Sequence, residues 1–225
     1  MSDLLTRDVY LTTKLFIPQP HPGWVLRPRL LERLDSSLSR KLALISAPAG
    51  YGKTTVVTQW VWNRGFIAET SHHRPTNDRT ARKIVFTWLS LDETDNDPIR
   101  FWDYFVLALQ GAFPELGGDI RAFLQMGQSQ PPPDQTIPTL LINEIARLPQ
   151  DLVMVLNDYH VIIDPTIQRG IAFLLDHMPP QFHLIIASRS DPPLPLARLR
   201  AKGEMLELRE NDLRFTADEA SPPIS

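Results

Sequence analysis

The stretch from Leu42 to Thr55 limits the possible folds of this chain more than any other. A short apolar segment, Leu42-Ala43-Leu44-Ile45, gives way to Ser46-Ala47-Pro48-Ala49-Gly50-Tyr51-Gly52, then to Lys53-Thr54-Thr55 and a helical pattern. Four apolar residues in a row, with no polar alternation, read as a strand buried on both faces, which a parallel sheet covered by helices requires. Gly50 and Gly52 let the backbone fold so that successive N–H groups point inward, and the helix that follows adds partial positive charge at its N-terminus. The unit is an anion cradle. An accidental Gly-Lys-Thr in an ordinary turn would lack the strand before it and the helix after it.

Other segments repeat the alternation. Val85–Leu91, Leu152–Leu156 and Leu184–Ala187 read as buried strands, with Met205–Leu208 as a weaker one. Helical patterns lie between them at Thr55–Trp62, Ile99–Ala112, Ile137–Leu148 and Thr166–Met178. Strands alternating with helices predict a three-layer α/β/α sandwich around a parallel sheet. An earlier helix starts near Pro28, with Leu30, Leu31, Leu34 and Leu38 at helical spacing. Asp97-Pro98 starts the aromatic helix, whose Phe101, Trp102, Phe105 and Leu109 form its core-facing stripe. Pro18, Pro20 and Pro22 deny helix to Lys14–Gly23, so residues 1–27 are expected to form an extended arm, 28–215 the domain and 216–225 a shortened tail. Glu69–Lys83 and Gly127–Pro133 read as surface loops. The first holds His72-His73, but adjacent side chains diverge and no carboxylate cluster accompanies them, which argues against a metal site.

With 225 residues and 43% hydrophobic content, the chain can bury a full core. A net charge of -3 without a basic patch gives no pull toward nucleic acid, so no direct DNA binding is expected. The absence of cysteine excludes disulfides and thiolate metal sites. Met1–Phe16 lacks the apolar core of a signal peptide, and no apolar run is long enough to span a bilayer, so the expected location is cytoplasmic and away from membrane.

The strand, glycine loop and helix together are the context that the Walker A motif demands. The expected nucleotide-contact set is Pro48, Ala49, Gly50, Tyr51, Gly52, Lys53, Thr54 and Thr55; of these, Thr55 reads more as a helix-surface or packing residue. Lys53 would bridge β- and γ-phosphates, and the Thr54 hydroxyl would complete a Mg²⁺ shell. Ala47 replaces the usual opening glycine, which is acceptable if its φ is negative. The apolar run Val153-Met154-Val155-Leu156 ends in Asn157-Asp158, a Walker B arrangement that delivers polar groups to the metal. Asp158 is the expected catalytic carboxylate, with Thr54, Asn157 and Asp158 around the metal. Strand side chains alternate, so Asn157 and Asp158 cannot exchange roles without a local backbone change, and Asn157 brings no charge. Slow hydrolysis with binding retained is the expectation. Arg189, at the end of His183–Ala187, is either a γ-phosphate sensor or a surface cation paired with Asp191.

Several strings carry a wider likeness: Lys14-Leu15, Arg27-Pro28-Arg29-Leu30, Pro48 to Thr55, Trp88-Leu-Ser-Leu-Asp92 and Asp95-Asn-Asp-Pro98. Asn157-Asp-Tyr-His160, Ser188-Arg-Ser-Asp-Pro-Pro193 and Asp212-Leu-Arg-Phe-Thr216 continue it. In order and spacing the chain resembles the N-terminal ATPase module of maltose-activator-type (MalT-like) LuxR transcription regulators, within the STAND class of P-loop NTPases. The resemblance implies a parallel sheet of order 5-1-4-3-2 and ATP/ADP with Mg²⁺ as ligands. It also implies self-association when inducer and ATP are present, and reset by hydrolysis. It places Arg27 near the nucleotide, Asp158 in the Walker B role and Arg189 in the sensor role. The family usually has aspartate at Asn157. The segments that would read an inducer or DNA do not fit within this chain, and the inducer stays unnamed. Two alternatives stand beside the switch module: a standalone P-loop ATPase or kinase, and a degenerate nucleotide-binding scaffold.

Overall fold

A computed structural model describes residues 10–70, 83–126 and 135–220. Within them, β1 (Leu42–Ser46), β2 (Ile84–Ser90), β3 (Asp151–Asn157), β4 (Phe182–Ser188) and β5 (Met205–Arg209) form one parallel sheet. Its order is β2-β3-β4-β1-β5, the expected 5-1-4-3-2 read from the opposite edge. The strand that enters the glycine loop therefore lies between β4 and β5, and its loop opens at the C-terminal edge of the sheet, where β3 and β4 also end.

The strand alternation divides the core in two. Leu42, Leu44, Leu152, Met154 and Leu156 face one side, and Ala43, Ile45, Val153 and Val155 the other. Helices α1 (Pro28–Asp35) and α2 (Lys53–Thr70) cover the second side, through Leu30, Leu31, Leu34, Val56, Val57 and Trp60. On the first side lie α3 (Pro98–Gln110), α4 (Gly118–Met126), α5 (Thr136–Ile145), α6 (Pro165–Asp176) and α7 (Leu196–Ala201). Two short helical turns follow, α8 (Glu210–Leu213) and α9 (Ala217–Ala220). The layered fold is the expected three-layer α/β/α sandwich.

Local chemistry explains where the helices begin. Asp97 accepts the Arg100 N–H at 2.8 Å with Pro98 at the first helical position, and Asp164 caps α6 in the same way ahead of Pro165. The expected stripe of α3 is buried, and Phe101 and Trp102 meet edge to face at 5.2 Å.

Three expectations need correction. The α2 helix begins at Lys53 and runs to Thr70, well past the expected Trp62 and into the stretch read as a loop from Glu69. Its extension is anchored by Asp35, which accepts both Trp60 Nε1 at 2.7 Å and Arg64 Nε at 2.6 Å. Leu38 does not extend α1: the helix stops at Asp35 and a 3₁₀ turn, Ser36–Ser39, carries Leu38. Helix α4 was not expected, because among its described side chains only Ile120 and Leu124 are buried while Phe123 is exposed. His72-His73 and Gly127–Pro133 lie outside the described residues.

The segment from Tyr10 touches the body at separate points, with exposed stretches between them. Lys14 is buried, Trp62 Nε1 donates to the Pro18 carbonyl at 2.7 Å, and Gln59 Nε2 donates to the Val25 carbonyl at 3.0 Å.

Leu44 sits in the strand that launches the loop and is wholly buried. Leu44→Ala is expected to lower unfolding free energy by about 2–5 kcal/mol in a urea titration. Exposed Glu32→Ala should change it by no more than about 0.5 kcal/mol.

Candidate nucleotide site

Between β1 and α2 the backbone takes the left-handed conformation twice, at Gly50 (φ 85°) and Gly52 (φ 73°). A Cβ added at Gly50 would meet nothing within 4 Å, and at Gly52 only Thr55 Cβ at 3.9 Å. Glycine is needed there for its backbone, not for space. Ala47 is buried and has no positive φ, which meets the condition under which alanine can stand at the strand exit.

Lys53 opens α2. Its Nζ turns back across the loop and donates to the Ala47 and Pro48 carbonyls at 2.7 and 2.8 Å, leaving the ammonium one further proton to donate. Burial holds its pKa below the ordinary lysine value; Asp158 acts against that shift and Arg189 adds to it. Two inward-folding glycines, one desolvated ammonium and the start of an 18-residue helix suit a polyphosphate.

Thr54 lies one residue on, and its Oγ1 donates to Asn157 Oδ1 at 2.8 Å. Asn157 is itself buried at the end of β3, and its Nδ2 donates to Asp158 Oδ2 at 2.8 Å. Asp158 takes a left-handed conformation (φ 60°, ψ 35°), the one non-glycine residue with positive φ among those described. Aspartate tolerates this region better than most residues. That twist is the local change which lets both side chains of a strand end turn to one side. Thr54, Asn157 and Asp158 therefore form a continuous chain of polar contacts with the charge at its far end.

On the next strand, Arg189 is exposed and faces the same end of the site. It lines a cavity of about 440 Å³ with Asp158, His160 and the loop after β2. Its alternative partner, Asp191, is instead ion-paired with Arg209. His160 Nδ1 is buried without a hydrogen-bond partner and stands 3.9 Å from Asp158 Oδ1. Burial, then Arg189, depress the His160 pKa, with Asp158 opposing them. Tyr159 packs inside, its hydroxyl on Gln168 Oε1 at 2.8 Å.

The other end of the loop opens into a cavity of about 570 Å³. Trp24, Val25 and Arg27 line it from the N-terminal segment, Gly50, Tyr51, Gly52 and Thr55 from the loop and α2, and Leu213 and Phe215 from the segment after β5. Arg27 thus borders the cradle, but its Nη2 is spent on the Leu213 and Arg214 carbonyls at 2.6 and 2.9 Å, and its guanidinium stacks 4.6 Å from the Phe215 ring. Arg29 reinforces that clasp through Asp212 O, Arg214 O and Glu219. The same loop is tied to α8 by Tyr51, whose hydroxyl donates to Glu210 at 2.9 Å.

The structure brings Pro48 to Thr55, Asn157, Asp158 and Arg189 together at one edge of the sheet, with Arg27 beside the opposite cavity. The Phe215 wall, Tyr51–Glu210 and the mouth formed by half-buried Trp24 and exposed Val25 were not read as site features. Only the quoted string Asp212-Leu-Arg-Phe-Thr216 pointed that way, and nothing local to it joins it to Arg27.

The fold and the strand–loop–helix unit define a P-loop NTPase module. No family model matches the chain. It is 35% identical over 211 residues, 93% of its length, to the HTH-type transcriptional regulator MalT of Cronobacter sakazakii, and 35% identical over 210 residues to MalT of Serratia proteamaculans. The resemblance read from the motifs is therefore upheld as a similarity to the MalT regulators over 93% of this chain. The chain spans about a fifth (21%) of the length of those relatives. Its fold is similar to that of a STAND protein with a tetratricopeptide repeat sensor from Pyrococcus horikoshii, with a TM-score of 0.53 and 16% identity over 90% of this chain and 25% of that one.

Gly50→Ala should cost cradle function without a steric clash. Phosphate-dependent ligand affinity, followed by calorimetry, is expected to drop at least about tenfold, since alanine is strained at φ 85°.

Proposed function

We propose that this chain is an ATP-binding, Mg²⁺-dependent switch module of a signal-responsive transcription regulator, with slow hydrolysis at best. The observation that carries the reading is the loop itself: two left-handed glycines and a lysine folded across them at the start of a helix. Gly50 and Gly52 shape main-chain donors around the phosphates, Lys53 supplies the compact positive charge, and the α2 N-terminus adds to the field. Pro48, Ala49 and Tyr51 complete the loop's wall. The cavity between Trp24 and Phe215 is of a size and apolar character suited to the adenosine end, with Thr55 and Arg27 at its edge.

Thr54, Asn157 and Asp158 are the residues that would hold Mg²⁺, which when bound neutralises charge on the phosphate oxygens. Asn157 is in contact with Thr54, so the side chain beside the Thr54 hydroxyl is neutral, and the carboxylate of Asp158 stands behind it to supply the charge that would hold the metal. This supports retained nucleotide binding with weak Mg²⁺ affinity. At the far side, Arg189 would sense the third phosphate, since it has no ion-pair partner among the described residues to compete for it. The names of the MalT relatives support placing the module in a regulator; DNA contact, inducer sensing and self-association would then fall to the assembled protein. No helix among the described residues is long and apolar enough to cross a membrane, and a cytoplasmic location is part of the proposal.

The same Thr54–Asn157 contact favours a second reading, a nucleotide-binding scaffold without turnover. An independent ATPase is the third, and turnover well above about one per minute would select it. Two experiments decide among these. Calorimetric titration with ATP and ADP, with and without Mg²⁺, should give binding that Lys53→Ala weakens by at least about 100-fold; a folded protein indifferent to both nucleotides ends the proposal. Asn157→Asp should raise Mg²⁺-dependent hydrolysis about tenfold or more, by placing a charge against the metal. An unchanged rate would show that Asn157 does not face it.

A further inference from the structure

The turn that carries Asp158 and His160 is gripped by a residue that the phosphate cradle does not use. Asn96 closes the 3₁₀ turn Glu93–Asn96 after β2. Its Nδ2 donates to the Val161 carbonyl at 2.7 Å, and its Oδ1 accepts the Ile163 and Asp164 N–H groups at 2.7 and 3.1 Å. Val161 in turn donates its N–H to the Asp158 carbonyl at 3.2 Å, so the residue held by Asn96 is the one that closes the Asp158 turn. One carboxamide thus fixes one loop against another across some 65 residues of sequence.

The loop that holds Asn96 is itself pinned from the N-terminal segment. Lys14, 6% exposed, donates to both carboxylate oxygens of the fully buried Asp95 at 2.8 and 2.6 Å and pairs with Asp92 at 2.7 Å. Asp95 also accepts the Asp92 N–H at 2.9 Å. A buried ion pair is weak evidence for stability, because apolar side chains of similar size would often serve as well, but it demands one geometry. Here that geometry runs from Lys14 through Asp95 and Asn96 to the Asp158–His160 turn. The glycine loop is outside this chain of contacts.

We propose that Lys14 and Asn96 are positioning residues: through them the N-terminal segment sets where Asp158 and His160 stand, and so sets discrimination between a nucleoside triphosphate and a diphosphate without touching either. The last clause rests on the nucleotide reading; the coupling between the segment and the turn does not. The two loops and Arg189 line one cavity, which the nucleotide reading places beyond the third phosphate, and a shift of the turn would on that reading be felt there and not at the β-phosphate.

The test compares the wild-type chain with Asn96→Ala, Lys14→Met and the double variant Lys14→Met/Asp95→Asn, which removes both charges together should Lys14→Met alone fail to fold. Amide hydrogen exchange is read by segment, and ATP and ADP affinities by calorimetry. Exchange in residues 158–164 is expected to accelerate at least about tenfold while residues 50–57 stay within about twofold. ADP affinity should hold within about twofold while the ATP-to-ADP affinity ratio falls at least about fivefold. Unchanged exchange at 158–164 in Asn96→Ala and in the folded Lys14 variant overturns the coupling, and an equal fall in both affinities overturns the discrimination. A wild-type chain that binds neither nucleotide removes the nucleotide reading, and the exchange comparison then decides the coupling by itself.

Discussion

A chain that leaves a strand buried on both faces must satisfy its backbone at once or lose the stability the strand provides. Between Ile45 and Lys53 it does so by reversing through two left-handed glycines and entering a helix whose first residue turns back to the loop's own carbonyls. The rest of the molecule is arranged around that reversal. β4 and β5 flank β1, so the arginine ending one and the segment following the other come to opposite ends of the loop. α2 begins where the loop ends and buries Val56, Val57 and Trp60 against the sheet, fixing the direction in which its N-terminus points.

From this arrangement the site acquires two unlike ends. Toward β3 and β4 it is polar, with Thr54, Asn157, Asp158 and Arg189; toward the N-terminal segment it is apolar, walled by Trp24 and Phe215. Asn157 bears only on the first. Its carboxamide oxygen accepts the Thr54 hydroxyl, which ties the end of β3 to α2 with a neutral group. The left-handed Asp158 brings the remaining carboxylate back within hydrogen-bond reach of that amide. Local strain at one residue thus keeps a negative charge near the site without placing it against Thr54.

The layered fold and the sheet order were legible because continuous apolar runs and helical periodicity are local signals, and the sheet order came with the family resemblance. The loop was legible because its strand and helix are adjacent in sequence. Helix ends were less so: nothing in Asn63-Arg64-Gly65 announces that Asp35, on another helix, will hold α2 together beyond Trp62. The same limit hid the wall formed by Phe215 and the grip of Lys14 on Asp95, since both join residues far apart in the chain. The short strings that carried the resemblance included these residues, yet their partners became visible only when the sheet brought them together. Asp158 is intermediate: alternation along β3 required a backbone change there, but not its form.

On the proposed function, main-chain amides of the β1–α2 loop hold a phosphate chain. Amide chemical shifts of Gly50, Gly52 and Thr54, followed by NMR as ADP is added, test it without relying on turnover or on any side chain. Saturable shifts concentrated in these three amides and sharing one dissociation constant are what the loop geometry predicts. Saturable binding that perturbs amides elsewhere and leaves these three unmoved would contradict it.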